Sequence, residues 1–467
     1  MTQTLALASL AGHCHEGEDL RVSTATIGDH MPGRGLASRA TPRWLIPVLG
    51  LLFAFAAEAP VWARHRMWSR LYWFGDDWDL MNRMEILGFR RWLFDPFAES
   101  FCPVGKLLYG VMFVRPGANY IDYMWMTQLL RIIMFALIAL AVRRLAGDKM
   151  AAGYAGLALL FLINPAGIEI IAWAPQLLTA LAHTFFAGLL LIVAHAMTSD
   201  RPLGTRGVVG VLVLQACCSL SFTRGVALSG VVALALCFAQ AGLPRLSDWR
   251  GALQRLRAGA IFFVVPIACL LMSLRFARVR NPYFHLSSIP TVLNWALRFF
   301  SLNPFVHIMQ IERQTIALVV CFAALKIAMA VYAYRLGTPV ARLALFALLA
   351  EIASSLAGGM GRFHTGAGAA VASRYQDVPA LSFLLLFTVV VASRWRPIGR
   401  LFAFTLVGPL LLSNSSWRLD SRNWAQVRGL DIRHVVLNEP NDDAPMPYVP
   451  FITVGRAREL VAKYDLK

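Results

Sequence analysis

The chain has 467 residues, of which 58% are hydrophobic and 15% charged, and a formal net charge of +18. A soluble globular domain carries about a quarter charged residues, so the composition excludes one and points to a membrane. The basic residues form neither one patch nor a nucleic-acid-binding motif, which excludes nucleic acid as the partner, and the seven cysteines show no metal spacing or disulfide framework.

The apolar residues run in continuous blocks of the length that crosses a bilayer as a helix, about 20 residues. Backbone polar groups in lipid must be satisfied internally, by helices or a closed barrel. Because the blocks do not alternate, they predict an all-α polytopic membrane protein. Residues 1–42 are polar and mixed, lack the positive-then-apolar design of a signal peptide, and read as a flexible cytoplasmic tail. A transmembrane domain over 43–415 follows, with spans expected near 44–63, 121–142, 150–164, 177–196, 207–222, 226–241, 258–274, 314–334, 340–357, 379–394 and 400–415. Residues 416–467 are expected to form an extracytoplasmic C-terminal segment, loop-like over the Pro- and Asp-rich stretch 439–450.

With about 11 transmembrane helices and the N-terminus cytoplasmic, every short inner connection is basic: Arg143, Arg144 and Lys149; Arg201 and Arg206; Arg245, Arg250, Arg255 and Arg257; Arg335 and Arg342; Arg394, Arg396 and Arg400. That is the asymmetry of the positive-inside rule. The long segments 64–120, 275–313 and 358–378 then face outward.

The first of these holds Phe74-Gly75-Asp76-Asp77-Trp78-Asp79. Three carboxylates within four positions at the foot of an apolar span are costly there and constitute a functional hypothesis by default. Segment 64–120 reads as amphipathic interfacial helices, with Tyr72, Trp73, Phe74, Trp78, Trp92 and Phe94 as interfacial aromatics beside Arg90 and Arg91. In a helix Asp76 and Asp79 share a face, and Asp77 points elsewhere. A carboxylate here could accept a proton from an attacking hydroxyl or hold a divalent metal. Alternatively, Gly75-Asp76-Asp77 simply caps a surface helix.

Further along come Phe101-Cys102-Pro103-Val104-Gly105-Lys106-Leu107-Leu108-Tyr109-Gly110 and then Asn119-Tyr120. With Asp76-Asp77-Trp78 ahead of Pro103 to Tyr109, the chain resembles the GT-C superfamily of integral-membrane glycosyltransferases over roughly residues 70–378. Members of that superfamily carry an acidic motif in the first extracytoplasmic loop. In the bacterial branch it resembles, an Asp-Asp-Trp/Tyr element precedes a Pro-x-x-x-Leu-Leu-Tyr-like element. Many relatives have a His just before that Pro region, where this chain has Phe101-Cys102. The resemblance implies a GT-C-like fold and a polyprenyl-phosphate-linked sugar as donor. It also implies that Asp76 or Asp77 is a catalytic base or ligates a divalent cation such as Mg or Mn, without saying which, and makes Trp78 a candidate substrate contact.

Other candidates follow in chain order. Glu169, near Trp173, Pro175 and Gln176, is a second acid or ligand, or a helix cap. His183, one turn into an apolar block, reads as a packed core histidine unless it lines a cavity. Arg224, after Ser219, Ser221 and Thr223, is either a ligand of the donor phosphate, which a guanidinium grips through two hydrogen bonds, or an arginine snorkelling to lipid headgroups. Segment 275–313 is a candidate lid or acceptor surface without a motif. Segment 358–378 combines glycines with Arg362, His364, Arg374, Tyr375 and Asp377, and resembles a late outer loop of the same branch. Arg362 and Arg374 are read as phosphate ligands, with Tyr375 positioning the sugar or lipid and His364 beside them. The alternative is a glycine-softened loop anchored by interfacial Arg and Tyr.

These readings predict an inverting glycosyltransferase of the bacterial inner membrane. Its site is extracytoplasmic, and it transfers a sugar to a glycan, lipid or protein acceptor. One rival is a transporter or flippase of lipid-linked saccharides, which predicts ionisable residues deep inside several spans. Another is a glycan ligase or polymerase built on a His/Arg outer loop.

Overall fold

The computed structural model describes residues 72–73, 75–97, 100–115, 117–162, 170, 172–240, 248–276, 285–303, 305, 314–392, 424–447 and 449–466. All of them belong to the unit spanning residues 49–467. The expected spans at 44–63 and 400–415, and the candidate residue Glu169, lie outside the described residues.

Two surface helices come first, α1 (Asp76–Leu87) and α2 (Phe89–Phe94), followed by α3 (Pro103–Val114). Then come the long α4 (Tyr120–Ala146), α5 (Asp148–Leu162), α6 (Gln176–Thr198), α7 (Thr205–Ser221) and α8 (Arg224–Phe238). A bent pair, α9 (Trp249–Ala258) and α10 (Val264–Phe276), leads to α11 (Ile289–Leu302), α12 (Ile316–Leu336) and α13 (Pro339–Arg362). Short 3-10 turns over Phe363–Thr365, Ala367–Val371 and Ser373–Tyr375 precede α14 (Asp377–Ala392). The chain closes with α15 (Trp424–Asn438), the antiparallel hairpin β1 (Pro445–Met446) and β2 (Val449–Thr453), and α16 (Val454–Tyr464).

Local chemistry sets the boundaries. Asn119 caps α4 through Ile121 N–H, and Thr315 caps α12 through Leu318 N–H, the role that short polar side chains play at helix starts. Gly337, in the left-handed region at φ 61°, ends α12, a conformation glycine adopts without steric cost. Thr338 then caps α13, with Pro339 as its first residue.

Among the described residues, α4, α6, α12 and α13 with its following turn are long and apolar enough to cross a membrane, and α9 with the helix after it is so only as a pair bent by 69°, the geometry of a broken span or of a re-entrant loop. The chain is therefore an α-helical membrane protein. The expected spans at 207–222 and 226–241 correspond to α7 and α8, of 17 and 15 residues. Both fall short of the roughly 20 residues of a full crossing, because the chain breaks at Phe222 and Thr223. The loop expected from residue 358 begins later, since α13 continues helically through Gly358 and Gly359 to Arg362. The reason is packing. A Cβ at Gly358 would lie 2.9 Å from the Trp295 ring, and one at Gly359 would lie 2.9 Å from the Val292 carbonyl. These two positions let α11 lie directly on α13.

Two cores result. The larger is apolar and fills the space among α4, α5, α6, α8, α13 and α14, with Phe135, Phe186, Leu190, Phe346 and Phe383 among its buried residues. The second joins the segment around α1 to α3 to the C-terminal one: Trp73, Trp78, Phe113, Tyr120 and Tyr123 are in the same cluster as Ile432, Val449, Ile452 and Leu460. Lys463 and Tyr464 of α16 hydrogen-bond Glu85 of α1, and Arg456 donates to Asn82 at 2.9 Å. The C-terminal segment thus completes the core beneath α1 and orients that helix.

Candidate functional site

Asp76 and Asp77 begin α1, behind Gly75 at φ 58°, a left-handed conformation that favours glycine. Their side chains diverge. Asp76 is exposed and lines a cavity of about 120 Å³. Asp77 is fully buried, and its Oδ1 accepts a 2.9 Å hydrogen bond from the Tyr109 hydroxyl. Burial and then the Asp77 charge push the Tyr109 phenol well above its ordinary value, which keeps it a neutral donor. Asp79 does not line the cavity. Burial raises its carboxyl, against the opposing charge of Arg83.

Three further stretches of chain bring cations to the same cavity. Arg224 arrives at the start of α8, just past the break at Phe222 and Thr223; Arg362 ends α13; Arg374 and Tyr375 sit on the last 3-10 turn. The Arg224 guanidinium lies 4.2 Å over the Tyr375 ring, and that of Arg374 lies 5.1 Å from the same ring and 5.3 Å from Trp173. Tyr375 thus has two guanidinia within cation–π distance of its ring. Burial would raise its phenol, but Arg374, Arg224 and Arg362 together pull it below its ordinary value. Gly358 also lines the cavity, and a Cβ there would come within 4.0 Å of Arg224 Nη2. Among the described residues the cavity therefore presents three guanidinia and one carboxylate, on walls that include Trp173, Phe97 and Phe222.

The Pro103 to Tyr109 stretch supports this arrangement from behind. Gly105 lets α3 approach α6 and α7, since a Cβ there would meet the Ser221 carbonyl at 2.3 Å. Lys106 is buried, donates to the Trp92 carbonyl and, at 2.8 Å, to the Asp95 carbonyl, and so ties α2 to α3. Burial lowers its amine to about 8. The Tyr120 hydroxyl donates to the Ala172 carbonyl at 2.8 Å and accepts from the Ala174 N–H at 3.2 Å, bracketing Trp173.

Other candidates stand elsewhere. Trp78 is fully buried, donates its indole N–H to the Trp73 carbonyl at 2.9 Å, and does not line the cavity. His364 is exposed, against the Phe363 ring, outside the cavity lining. His183 is buried, with Nδ1 3.8 Å from Asp377 Oδ2, beyond hydrogen-bond distance. Among the described residues no group of three or more His, Cys, Asp or Glu could hold a metal ion. Asp76 is the only carboxylate among the described residues that line the cavity, while Asp77 is engaged by Tyr109. This donor set does not fit a dedicated metal site.

Sequence reasoning missed the charged pairs beneath the site. Arg131 Nε donates to Asp377 Oδ1 at 3.0 Å, and its Nη1 to Gln128 at 2.9 Å, all buried. Lys326 pairs with Glu351 at 2.6 Å, both at zero exposure, and also donates to the Phe300 and Asn303 carbonyls. Lone ionisable residues in apolar blocks were the only available signal, because the partners are 246 and 25 residues apart.

No protein-family model matches the chain, and no curated protein matches it. A search of solved structures finds the crystal structure of the Archaeoglobus fulgidus oligosaccharyltransferase in complex with Zn and sulfate, at 14% identity and a TM-score of 0.46. The similarity covers 87% of this chain and 58% of that one, so the chain spans less than two thirds of that protein's length. Similarity at this level does not define a shared family.

Proposed function

We propose that the chain is a membrane glycosyltransferase that takes a sugar from a polyprenyl-phosphate carrier. The observation that carries this reading is the single cavity shared by Asp76, Arg224, Arg362, Arg374 and Tyr375. In the proposed reaction Asp76 accepts the proton of an acceptor hydroxyl. The hydroxyl oxygen forms a bond to the anomeric carbon as that carbon's bond to the phosphate oxygen breaks. The electron pair leaves with the phosphate, whose charge the three guanidinia stabilise, the kind of preorganised electrostatics that usually dominates catalysis. One displacement without a covalent intermediate inverts the anomeric centre. Asp77 acts through the start of α1, as a positioning residue. The basic short connections at the opposite helix ends support an extracytoplasmic site in a bacterial inner membrane, and the acceptor is a glycan, lipid or protein.

The test is transfer of labelled sugar from a panel of polyprenyl-phosphate sugars by purified protein, with membrane extract as acceptor. Asp76→Asn and Arg374→Ala are expected to lose at least about a hundredfold in rate, the scale of a lost general base or oxyanion donor. Normal rates in both variants overturn the reading.

A second reading, translocation of the lipid-linked saccharide, draws on the buried ionisable pairs of the helical bundle, Lys326 with Glu351 and Arg131 with Asp377. Reconstituted vesicles separate the two: carrier that crosses the bilayer without sugar transfer favours translocation.

A further inference from the structure

A second cavity, of about 590 Å³, opens at the opposite ends of the same helices. Across the 23 residues of α6, a rise of roughly 1.5 Å per residue puts about 33 Å between Gln176 in the first cavity and Thr198 beside the second. That separation matches a hydrocarbon core about 30 Å thick, so the second cavity sits at the other membrane boundary.

Its lining changes character with depth. At the helix ends stand Arg144, Ser199 and Arg201, with the start of α7 at Gly204. One turn inward are His195 and Gly207, and deeper still Leu191, Ile192 and Gly210. Among the described residues no carboxylate lines the cavity and neither guanidinium has a carboxylate partner; Arg144 donates through Nε to Thr198 at 2.9 Å. The α7 N-terminus has no side-chain cap, which leaves first-turn N–H groups and the positive end of the helix dipole at the same level. Glycine weakens a helix, yet Gly207 and Gly210 face this space. A Cβ at Gly204 or Gly210 would meet nothing within 4 Å, and one at Gly207 only Leu203 at 3.4 Å. The glycines keep a slot open that ordinary side chains would fill.

We propose that this groove holds one anionic phospholipid. Its phosphate sits between Arg144 and Arg201 at the α7 N-terminus, and one acyl chain runs down the glycine-lined face of α7 against Leu191 and Ile192. Cations at the boundary above an apolar slot reproduce the order of charge and hydrocarbon within a single lipid. The two guanidinia discriminate against a zwitterionic headgroup, whose own ammonium offsets its phosphate.

The test is native mass spectrometry of the delipidated full-length protein titrated with dioleoylphosphatidylglycerol, dioleoylphosphatidylcholine or inorganic phosphate. Wild type is expected to retain one phosphatidylglycerol in preference to phosphatidylcholine, and inorganic phosphate is expected not to displace it. The double variant Arg144→Gln/Arg201→Gln weakens binding about thirtyfold, the scale of two juxtamembrane arginines. Gly207→Leu, which fills the slot without touching charge, weakens binding of the lipid as well. Arg335→Gln, which removes a basic residue at the end of α12 outside this lining, leaves it unchanged. Equal retention of the two lipids, an equal loss in Arg335→Gln, or unchanged phosphatidylglycerol binding in both the double variant and Gly207→Leu overturns the proposal. Displacement by inorganic phosphate overturns the lipid assignment in favour of a free anion.

Discussion

Tyr109 and Asp77 meet inside a core where both are shielded from water. Tyr109→Phe removes a donor from a buried carboxylate, and a buried polar group that loses a partner costs about 1–3 kcal/mol. The expected outcome is a lower thermal unfolding temperature in detergent, with Asp76 chemistry impaired only as α1 loosens. Asp77→Asn retains an acceptor of the same shape and is expected to be milder by the same measurement. A second residue reports on pH. Hydrogen bonds from Lys463 and Tyr464 hold the Glu85 carboxyl below its ordinary value. A depressed carboxyl contributes stability that is fully present above its unfolded value, 4.5, and is lost as pH falls through its folded one. Protease protection of α16 is therefore expected to hold at neutral pH and decline below about 4.5, and Glu85→Gln is expected to flatten that decline.

At the scale of elements, the junction of α11 with α13 is a close helix contact that borders the site. A methyl group at Gly359 would press on the Val292 carbonyl at 2.9 Å, and backbone cannot rotate away as a side chain can. Gly359→Ala is expected to cost about 1–3 kcal/mol, the range for overpacking. Thermal unfolding followed by tryptophan fluorescence is the measurement, because Trp295 stacks on Phe299 in the same interface. Since Trp295 and Phe299 also contact Tyr375, a displaced α11 disturbs the aromatic plate beneath Arg224.

For the molecule as a whole, the buried ions bind the helices to one another. Lys326 of α12 joins Glu351 of α13, which Ser382 of α14 also contacts, while the same ammonium caps the end of α11. Lys326→Met leaves Glu351 uncompensated and is expected to cost about 3–5 kcal/mol, whereas the double variant Lys326→Met/Glu351→Leu recovers most of that loss. Thermal unfolding of the single and double variants checks both. Failure of the double variant to recover would mean that the pair is needed for more than mutual neutralisation.

Sequence alone determines that this is a helical membrane protein, because burial in lipid demands continuous apolar runs whose length is set by bilayer thickness. It also singles out Asp76, Arg224, Arg362, Arg374 and Tyr375, since charged residues at the ends of apolar blocks are expensive and therefore conspicuous. Sequence does not separate Asp76 from Asp77, two neighbours of the same chemistry. Only the fold turns one to the cavity and the other to Tyr109, 32 residues away. Nor does it distinguish Gly358 and Gly359 as helix contacts from a softened loop, because the deciding surface belongs to α11. The same holds for Lys326 with Glu351, for Arg131 with Asp377, and for the C-terminal segment that completes the core under α1. Local pattern reports what each residue prefers, but a buried charge, a missing Cβ or an aromatic face acquires its meaning from whatever side chain the tertiary structure brings against it.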